Sequence, residues 1–313
     1  MKKFTLSAIA LVAAAVAAPA FAQSSVTLYG RLNTTVENQK VNNQARKWVV
    51  QNNSSRIGFK GTEDMGGGLK ASFQLEHGFA SDTGAANATF WGREAWVQLA
   101  GSFGAIRLGN ITPESYFATA DYVSMHNHDT GTSSDALYGG PFLNKNKVMY
   151  MTPTVGGFSA SIAGTAGEKV EKNGTDFAMN YDAGPFHGGF GYSKQGEMNQ
   201  WAVRALVEAG PVVVGGYYQK DDLGADTRDV WRLAAMYAVG ASEFHVNMGR
   251  ASQAKSGATV LSPKQDQWTL GYNYNLSKRT KVYAFYTKND LNKNTSAADN
   301  EFSSLAMGVR HNF

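Results

Sequence analysis

Two groups of residues in this chain have types and spacing that could support chemistry. His77 lies just before Ser81 and Asp82, placing a base within local reach of a hydroxyl and a carboxylate, as nucleophilic catalysis requires. His126-Asn127-His128-Asp129 offers two imidazoles and a carboxylate that could ligate a metal. Both groups sit in polar stretches where His among Ser, Asp and Asn is commonplace, and no nucleophile motif accompanies either. The chain has no cysteine, which removes thiolate metal sites and small disulfide scaffolds. The expectation is a protein with no catalytic residues, no metal and no cofactor.

The elements that hold these residues begin with a leader. Met1-Lys2-Lys3 is a positive start, residues 4–17 are almost unbroken apolar, and Pro19 precedes the small-x-small triplet Ala20-Phe21-Ala22. That layout is a secretory signal peptide, 1–22, cleaved after Ala22 to leave one domain over 23–313. Beyond it no run of 18 apolar residues occurs, which excludes a helical membrane protein. Lys+Arg number 29 against 25 Asp+Glu, or 27 without Lys2 and Lys3. No basic run is clustered, so no nucleic-acid partner is expected. Thirty-four glycines, 12% aromatic residues and only seven prolines point to many strands joined by tight turns.

Period-2 alternation then recurs along the chain. Val26, Leu28, Gly30 and Leu32 share one face, and Thr27, Tyr29, Arg31 and Asn33 the other. Leu69, Ala71, Phe73 and Leu75 repeat the pattern, as do Trp201 to Val207, Trp231 to Val239 and Trp268 to Leu276. A soluble sandwich would alternate likewise; the connections discriminate. Seven short links (64–68, 101–104, 154–157, 182–185, 209–211, 239–241 and 276–279) alternate with eight longer polar ones (37–47, 77–92, 110–146, 165–176, 194–200, 220–229, 250–264 and 288–301). Fifteen links join sixteen strands. The reading is all-β: a 16-stranded antiparallel transmembrane β-barrel with short periplasmic turns and long extracellular loops. Its apolar sides meet lipid and its polar sides surround water, wide enough for a channel. Tyr150, Tyr181, Tyr192, Tyr218, Tyr272 and Tyr286, near strand ends, are candidates for interfacial aromatic girdles. The chain closes on an amphipathic strand ending at Phe313, which looks like the signal read by the outer-membrane assembly machinery.

The sequence resembles the Gram-negative porins of β-proteobacteria, the trimeric general diffusion porins of Neisseria and Burkholderia relatives. The resemblance is carried by Ser25-Val26-Thr27-Leu28-Tyr29-Gly30, by Ser55-Arg56-Ile57-Gly58-Phe59-Lys60-Gly61-Thr62-Glu63-Asp64 with Gly66-Gly67-Gly68-Leu69-Lys70-Ala71, and by Phe103-Gly104-Ala105-Ile106-Arg107-Leu108-Gly109. Tyr272-Asn273-Tyr274-Asn275-Leu276-Ser277-Lys278-Arg279-Thr280 and the ending Gly308-Val309-Arg310-His311-Asn312-Phe313 extend it over the mature chain. It implies a homotrimer in outer-membrane lipid and lipopolysaccharide, passing ions and small hydrophilic solutes passively. It also implies that the long stretch 110–146 folds into the barrel as a constriction. There Glu114, Asp121, Asp129 and Asp135 would face Arg31, Arg56, Lys60, Arg107 and Lys147 on the wall, giving a transverse field. Two departures appear. Arg93-Glu94 stands where the family often has basic residues, and outward Ala95, Val97 and Leu99 would turn Glu94 inward and Arg93 away. Pro113-Glu114 is followed by Ser115-Tyr116 rather than the usual aromatic-Gly. The slight surplus of basic wall groups predicts mild anion preference. A substrate-selective channel, for sugars or organic acids, would need a row of aromatics or bases along the lumen, for which inward Tyr283 and Phe285 are too few.

Overall fold

Strands that are apolar on one side and polar on the other can leave no unpaired edge in a membrane, and this chain solves the problem by closure. The computed structural model describes residues 25–126, 137–291 and 300–313; the expected leader lies outside them. Strands β1 (Ser25–Val41), β2 (Lys47–Asn52), β3 (Arg56–Gly66), β4 (Leu69–Gly78), β5 (Glu94–Gly101), β6 (Gly104–Asn110), β7 (Lys147–Met151) and β8 (Phe158–Thr165) form the first half of the sheet. The second half holds β9 (Gly174–Ala183), β10 (Phe186–Gln195), β11 (Met198–Ala209), β12 (Val212–Asp222), β13 (Thr227–Val239) and β14 (Ser242–Ala251). A small external hairpin, β15 (Ala254–Ser256) with β16 (Thr259–Ser262), precedes β17 (Gln265–Asn275), β18 (Thr280–Leu291) and β19 (Asn300–Asn312). Seventeen of these make one sheet, and β1 pairs antiparallel with β19, from Arg31 opposite Asn312 to Val41 opposite Phe302. Because β2 and β3 are halves of one barrel strand, the closed wall has sixteen.

The break between those halves is a β-bulge with a functional effect. Thr34 pairs with Asn52 but Arg31 with Arg56, so residues 53–55 oppose only Leu32 and Asn33. Ser54 takes φ +60°, and the freed groups are satisfied locally. Asn53 N–H donates to the Asn33 carbonyl at 2.8 Å, and Asn33 Nδ2 to the Asn53 carbonyl at 2.9 Å. One extra residue exchanges the two faces. Trp48 and Val50 therefore face outward in β2, whereas even-numbered Arg56 and Lys60 face the lumen in β3, opposite Arg31 and Thr27.

The outward face carries the apolar set read from the alternation, including Val26, Leu28, Leu233, Leu270 and Met307. Aromatic pairs mark both rims. Trp201–Tyr218 and Trp268–Tyr286 meet in tilted contacts at 5.5 and 5.3 Å toward the loops, and Phe158–Tyr181 and Phe244–Tyr272 at 4.5 and 5.2 Å toward the turns. At the turn rim Gly210 and Gly240 sit at φ +59° and +57°, left-handed positions that let two residues reverse the chain.

All seven short links fall at one rim, but the loops are shorter than expected. β1 runs to Val41, past the expected loop start at Glu37, and Gly196-Glu197 alone separate β10 from β11. Polar residues above the hydrocarbon keep the ladder while their side chains contact water, so loss of apolar alternation does not mark the strand end.

The seam depends on Gly30. Its N–H donates to the Phe313 carbonyl at 3.0 Å and the Phe313 N–H returns to Gly30 at 3.1 Å, while a Cβ at Gly30 would lie 2.3 Å from the Phe313 ring. Gly30→Val is expected to cost about 1–3 kcal/mol of closure through overpacking. Less of the heat-modifiable, folded band should appear on an unheated gel; an unchanged band would contradict this.

Candidate functional site

Among the described residues, the largest cluster of buried apolar side chains lies inside the barrel, between the wall and the long loop after β6. Glu114–Tyr116 form one helical turn that continues as a π-helical turn over Phe117–Asp121. Tyr116, Ala120, Val123 and Leu137 pack on Tyr217, Val230, Ala234 and Ala251 of β12–β14. The helix start is clamped by Asp176 of β9, which is 1% exposed. Asp176 accepts Glu114 N–H at 3.0 Å, Ser115 N–H at 3.4 Å, the Ser193 hydroxyl at 2.7 Å and the Ser115 hydroxyl. This is a carboxylate on the first N–H groups of a helix, a favourable charge placement. Gly189 and Gly191 of β10 leave the room: a Cβ on either would strike the backbone of Ala118 or Ser115. The returning leg is tied to the same side. Gln200 Nε2 donates to Tyr138 Oη at 2.8 Å, Gln219 Nε2 to the Gly139 carbonyl at 3.0 Å, and Arg228 Nη2 to the Leu137 carbonyl at 2.9 Å. Arg204 stacks on Tyr122 at 3.3 Å.

The loop also reaches across the lumen. His126, 2% exposed, sits over Gly271 of β17, with its ring 4.6 Å from that of His245 and 6.1 Å from those of Tyr283 and Phe285. The surrounding charged groups are Glu243 on β14, Lys281 on β18 and Arg310 on β19. Glu243 accepts from Lys281 Nζ at 3.3 Å, Asn273 Nδ2 at 2.8 Å and Asn275 Nδ2 at 2.6 Å. Burial, and next the neighbouring His245, hold His126 well below the ordinary histidine range. A released tip takes a proton near about pH 6.5 and the seated one resists, so seating is fully stable above that value and weakens as pH falls below it. Current noise should become several-fold stronger at about pH 5 than at about pH 7.5, and His126→Phe should remove the difference. Equal noise of the wild type at both values would contradict the assignment.

With the loop against β9–β18, the open side of the lumen is walled by β19, β1, β3, β4, β5 and β6. Bases form a ladder that starts at its edge, on β18. Lys281 pairs with Arg310 across β18–β19, Arg310 is diagonal to Arg31, and Arg31 pairs with Arg56. Lys60 extends the ladder toward the turn rim, its Nζ 5.1 Å over the Tyr29 ring. Arg107 bonds Gln98 through Nε at 2.9 Å and Nη2 at 2.8 Å and stacks on Trp96. Arg56 and Arg93 share Glu76, at 3.7 and 2.5 Å.

Arg93 thus turns to the lumen, against the parity expectation, because it precedes β5 and the strand alternation does not bind it. Glu94 points inward as expected and accepts the Thr112 hydroxyl at 2.6 Å. Lys147 is 1% exposed, covered by the loop. Glu114 lies in its surroundings and those of Arg107, with burial pushing its carboxyl up and Arg107 opposing. Asp121 lines the open passage; Asp129 and Asp135 lie outside the described residues. The passage-facing side of the loop is otherwise largely aromatic, with Tyr116, Phe117, Tyr138 and Phe142. Asp176, Ser193, Lys281, Arg310 and this ring cluster are the residues the sequence reading missed. Inward parity alone could have flagged Lys281 and Arg310.

Of the two candidate chemical groups, the one at His77 does not assemble, and the one at His126 lies mostly outside the described residues. The His77 ring stacks on Phe90 at 4.2 Å and bonds its carbonyl, whereas Ser81 bonds Thr34 at 2.6 Å and Asn52 at 3.0 Å. His126 faces His245 rather than a carboxylate set, and Asn127, His128 and Asp129 lie outside the described residues.

A closed wall, apolar outside and polar inside, with a loop packed into its lumen, defines a transmembrane β-barrel channel. The Gram-negative porin family model matches residues 7–294, and the chain belongs to this family. It is 30% identical to outer membrane porin protein 32 of Delftia acidovorans over the full length of both chains. It is 29% identical to major outer membrane protein P.IB of Neisseria lactamica, again with both fully covered. The anion-selective porin from Comamonas acidovorans superposes with TM-score 0.75 and 25% identity, over 93% of this chain and 100% of that one. The protein is a β-barrel of the Gram-negative outer membrane.

Proposed function

We propose that the protein is a general diffusion porin, passing ions and small hydrophilic solutes down their gradients, with a preference for anions. The observation that carries this is the loop anchored to one side of the lumen while Arg310, Arg31 and Arg56 line the other. An opening walled by surplus positive charge concentrates anions and depletes cations. Arg31, Arg56, Lys60 and Arg107 are the wall bases of the constriction, Glu114 and Asp121 its described loop acids, and Glu94 a lumen acid beside them. The anion-selective character of the structurally similar Comamonas protein supports the sign.

The working unit is a homotrimer seated in outer-membrane lipid and lipopolysaccharide, supported by the family resemblance and by the trimer form in which the OmpT fold of Vibrio cholerae is described. Residues 1–22 act as a signal peptide, and Phe313 as the assembly signal. Liposome swelling with neutral sugars of graded mass tests the diffusion reading. Rates should fall smoothly with solute size; an impermeable liposome, or entry of one sugar alone, would overturn it.

A further inference from the structure

The outer wall carries a feature that conduction through the lumen does not use. At the external rim a base stands directly across the ladder from a tryptophan three times: Lys220 opposite Trp201, Arg250 opposite Trp231 and Lys288 opposite Trp268. Each base lies on the strand that rises from a short turn, so successive bases are two strands, about 10 Å, apart. The aromatic pairs of both rims fall on β8–β18, which marks this stretch of wall as meeting lipid at its interfaces. At the turn rim the same face carries Val212, Tyr237, Phe244 and Tyr272, all uncharged. Snorkelling of long side chains would serve both rims alike, so the row of bases answers to something in the external leaflet.

The row is densest over β14, β17 and β18. Arg250 and Lys264 sit on the two oxygens of one carboxylate, Asp266, with Lys264 Nζ at 3.7 Å. Asp266 lies opposite Asp290, which holds Lys288 Nζ at 3.3 Å. Three bases thus stand on two acids. The acids are also set deeper: the side chains of Asp266 and Asp290 are 22% and 9% exposed, against 53%, 28% and 34% for Arg250, Lys264 and Lys288. The carboxylates fix the bases from the barrel side. An ammonium has three N–H donors and a guanidinium five, more than one carboxylate contact uses, so each exposed base can serve a second acceptor. Below them the lipid-facing wall continues with exposed Met248, Trp268 and Leu270.

We propose that Arg250, Lys264 and Lys288 form a site for the phosphates of an outer-leaflet lipid of the phosphorylated glycolipid class. Phosphate oxygens accept from Arg250 and Lys264 over Asp266 and from Lys288 beside them. The acyl chains lie on Met248 and Leu270, with Trp268 at the level of the headgroup. A lipid is the occupant, and not free phosphate, because the bases stand directly above an apolar wall that a soluble ion would leave uncovered. The inference rests on the outer-membrane seating proposed above and gives that seat a place on the barrel.

The test is native mass spectrometry of the detergent-extracted porin, incubated with equimolar bis-phosphorylated lipid A and the same lipid with its phosphates removed. Wild type should retain the phosphorylated form in at least about fivefold excess. The triple variant Arg250→Gln, Lys264→Gln, Lys288→Gln should retain the two about equally, whereas Lys194→Gln, on β10 outside the cluster, should keep the wild-type ratio. Excess inorganic phosphate should leave the lipid bound. Should the triple variant fail to assemble, the wild-type ratio decides alone. Equal retention of the two lipids by wild type, an unchanged ratio in the triple variant, or displacement by inorganic phosphate overturns the site while leaving the barrel's seating intact; failure of wild type to retain either lipid overturns both.

Discussion

Replacing Asp176 by alanine is expected to release the constriction loop and produce the largest functional change of any single substitution in this barrel. Asp176 accepts four hydrogen bonds that join the loop's helical turn to β9 and β10. Bonds to a charged acceptor contribute about 1.5–3 kcal/mol each, and their donors are left buried when it is removed. The Asp176→Ala channel should show raised single-channel conductance and strong current noise, because the loop samples positions away from the wall. The barrel itself should still form, since its ladder does not depend on this side chain. Asp176→Asn, which keeps the size and one acceptor oxygen, should fall between the two. A quiet Asp176→Ala channel of wild-type conductance would show that the loop is held by its apolar face and its bonds to Gln200, Gln219 and Arg228.

The second large effect concerns ion preference. A unit charge about 7 Å from an ion in water changes its energy by about 0.6 kcal/mol, close to threefold in local concentration. The same charge acts oppositely on the counter-ion, so each lost base changes the anion-to-cation ratio by up to about tenfold before screening. Arg31 bonds the neutral Asn312 at 3.2 Å, with Arg310 its diagonal neighbour on β19, whereas Arg56 shares the carboxylate of Glu76 with Arg93. Arg31→Ala with Arg310→Ala should therefore abolish anion preference in dilute salt, and Arg56→Ala should weaken it less. In about 1 M salt, where the screening length falls to about 3 Å, wild type and variants should converge. A salt-independent difference would point instead to a changed pore shape.

The barrel was legible because membrane strands obey two strong local rules. Alternation placed Val26, Leu233 and Leu270 outward, and turn chemistry at Gly210 and Gly240 placed the reversals. Strand ends were less legible: at β1 and at the β10–β11 turn the ladder outlasts the apolar pattern, since water tolerates both paired and unpaired backbone. Inward Arg56 and Lys60 followed from their neighbours Ile57 and Phe59, although carrying the β2 alternation through Asn53 and Ser54 would have reversed them. The constriction was only half visible. Its length marked the loop, but Asp176, Ser193, Gly189 and Gly191 meet it through space, at sequence separations that periodicity cannot register. The aromatic side it presents to the passage was hidden for the same reason: Tyr116 and Phe142 are distant in sequence and join only after the loop has folded back.

The central claim is that water fills this barrel beside an anchored loop and that positive side chains dominate the open wall. The most direct measurement is the zero-current potential of the purified wild-type protein in a planar bilayer separating about 0.1 M from about 1 M potassium chloride, a gradient over which the dilute side is weakly screened. The account predicts stepwise ohmic conductance and a potential of the sign set by chloride moving faster than potassium. A potential of the opposite sign, or a membrane that carries no current, would contradict it.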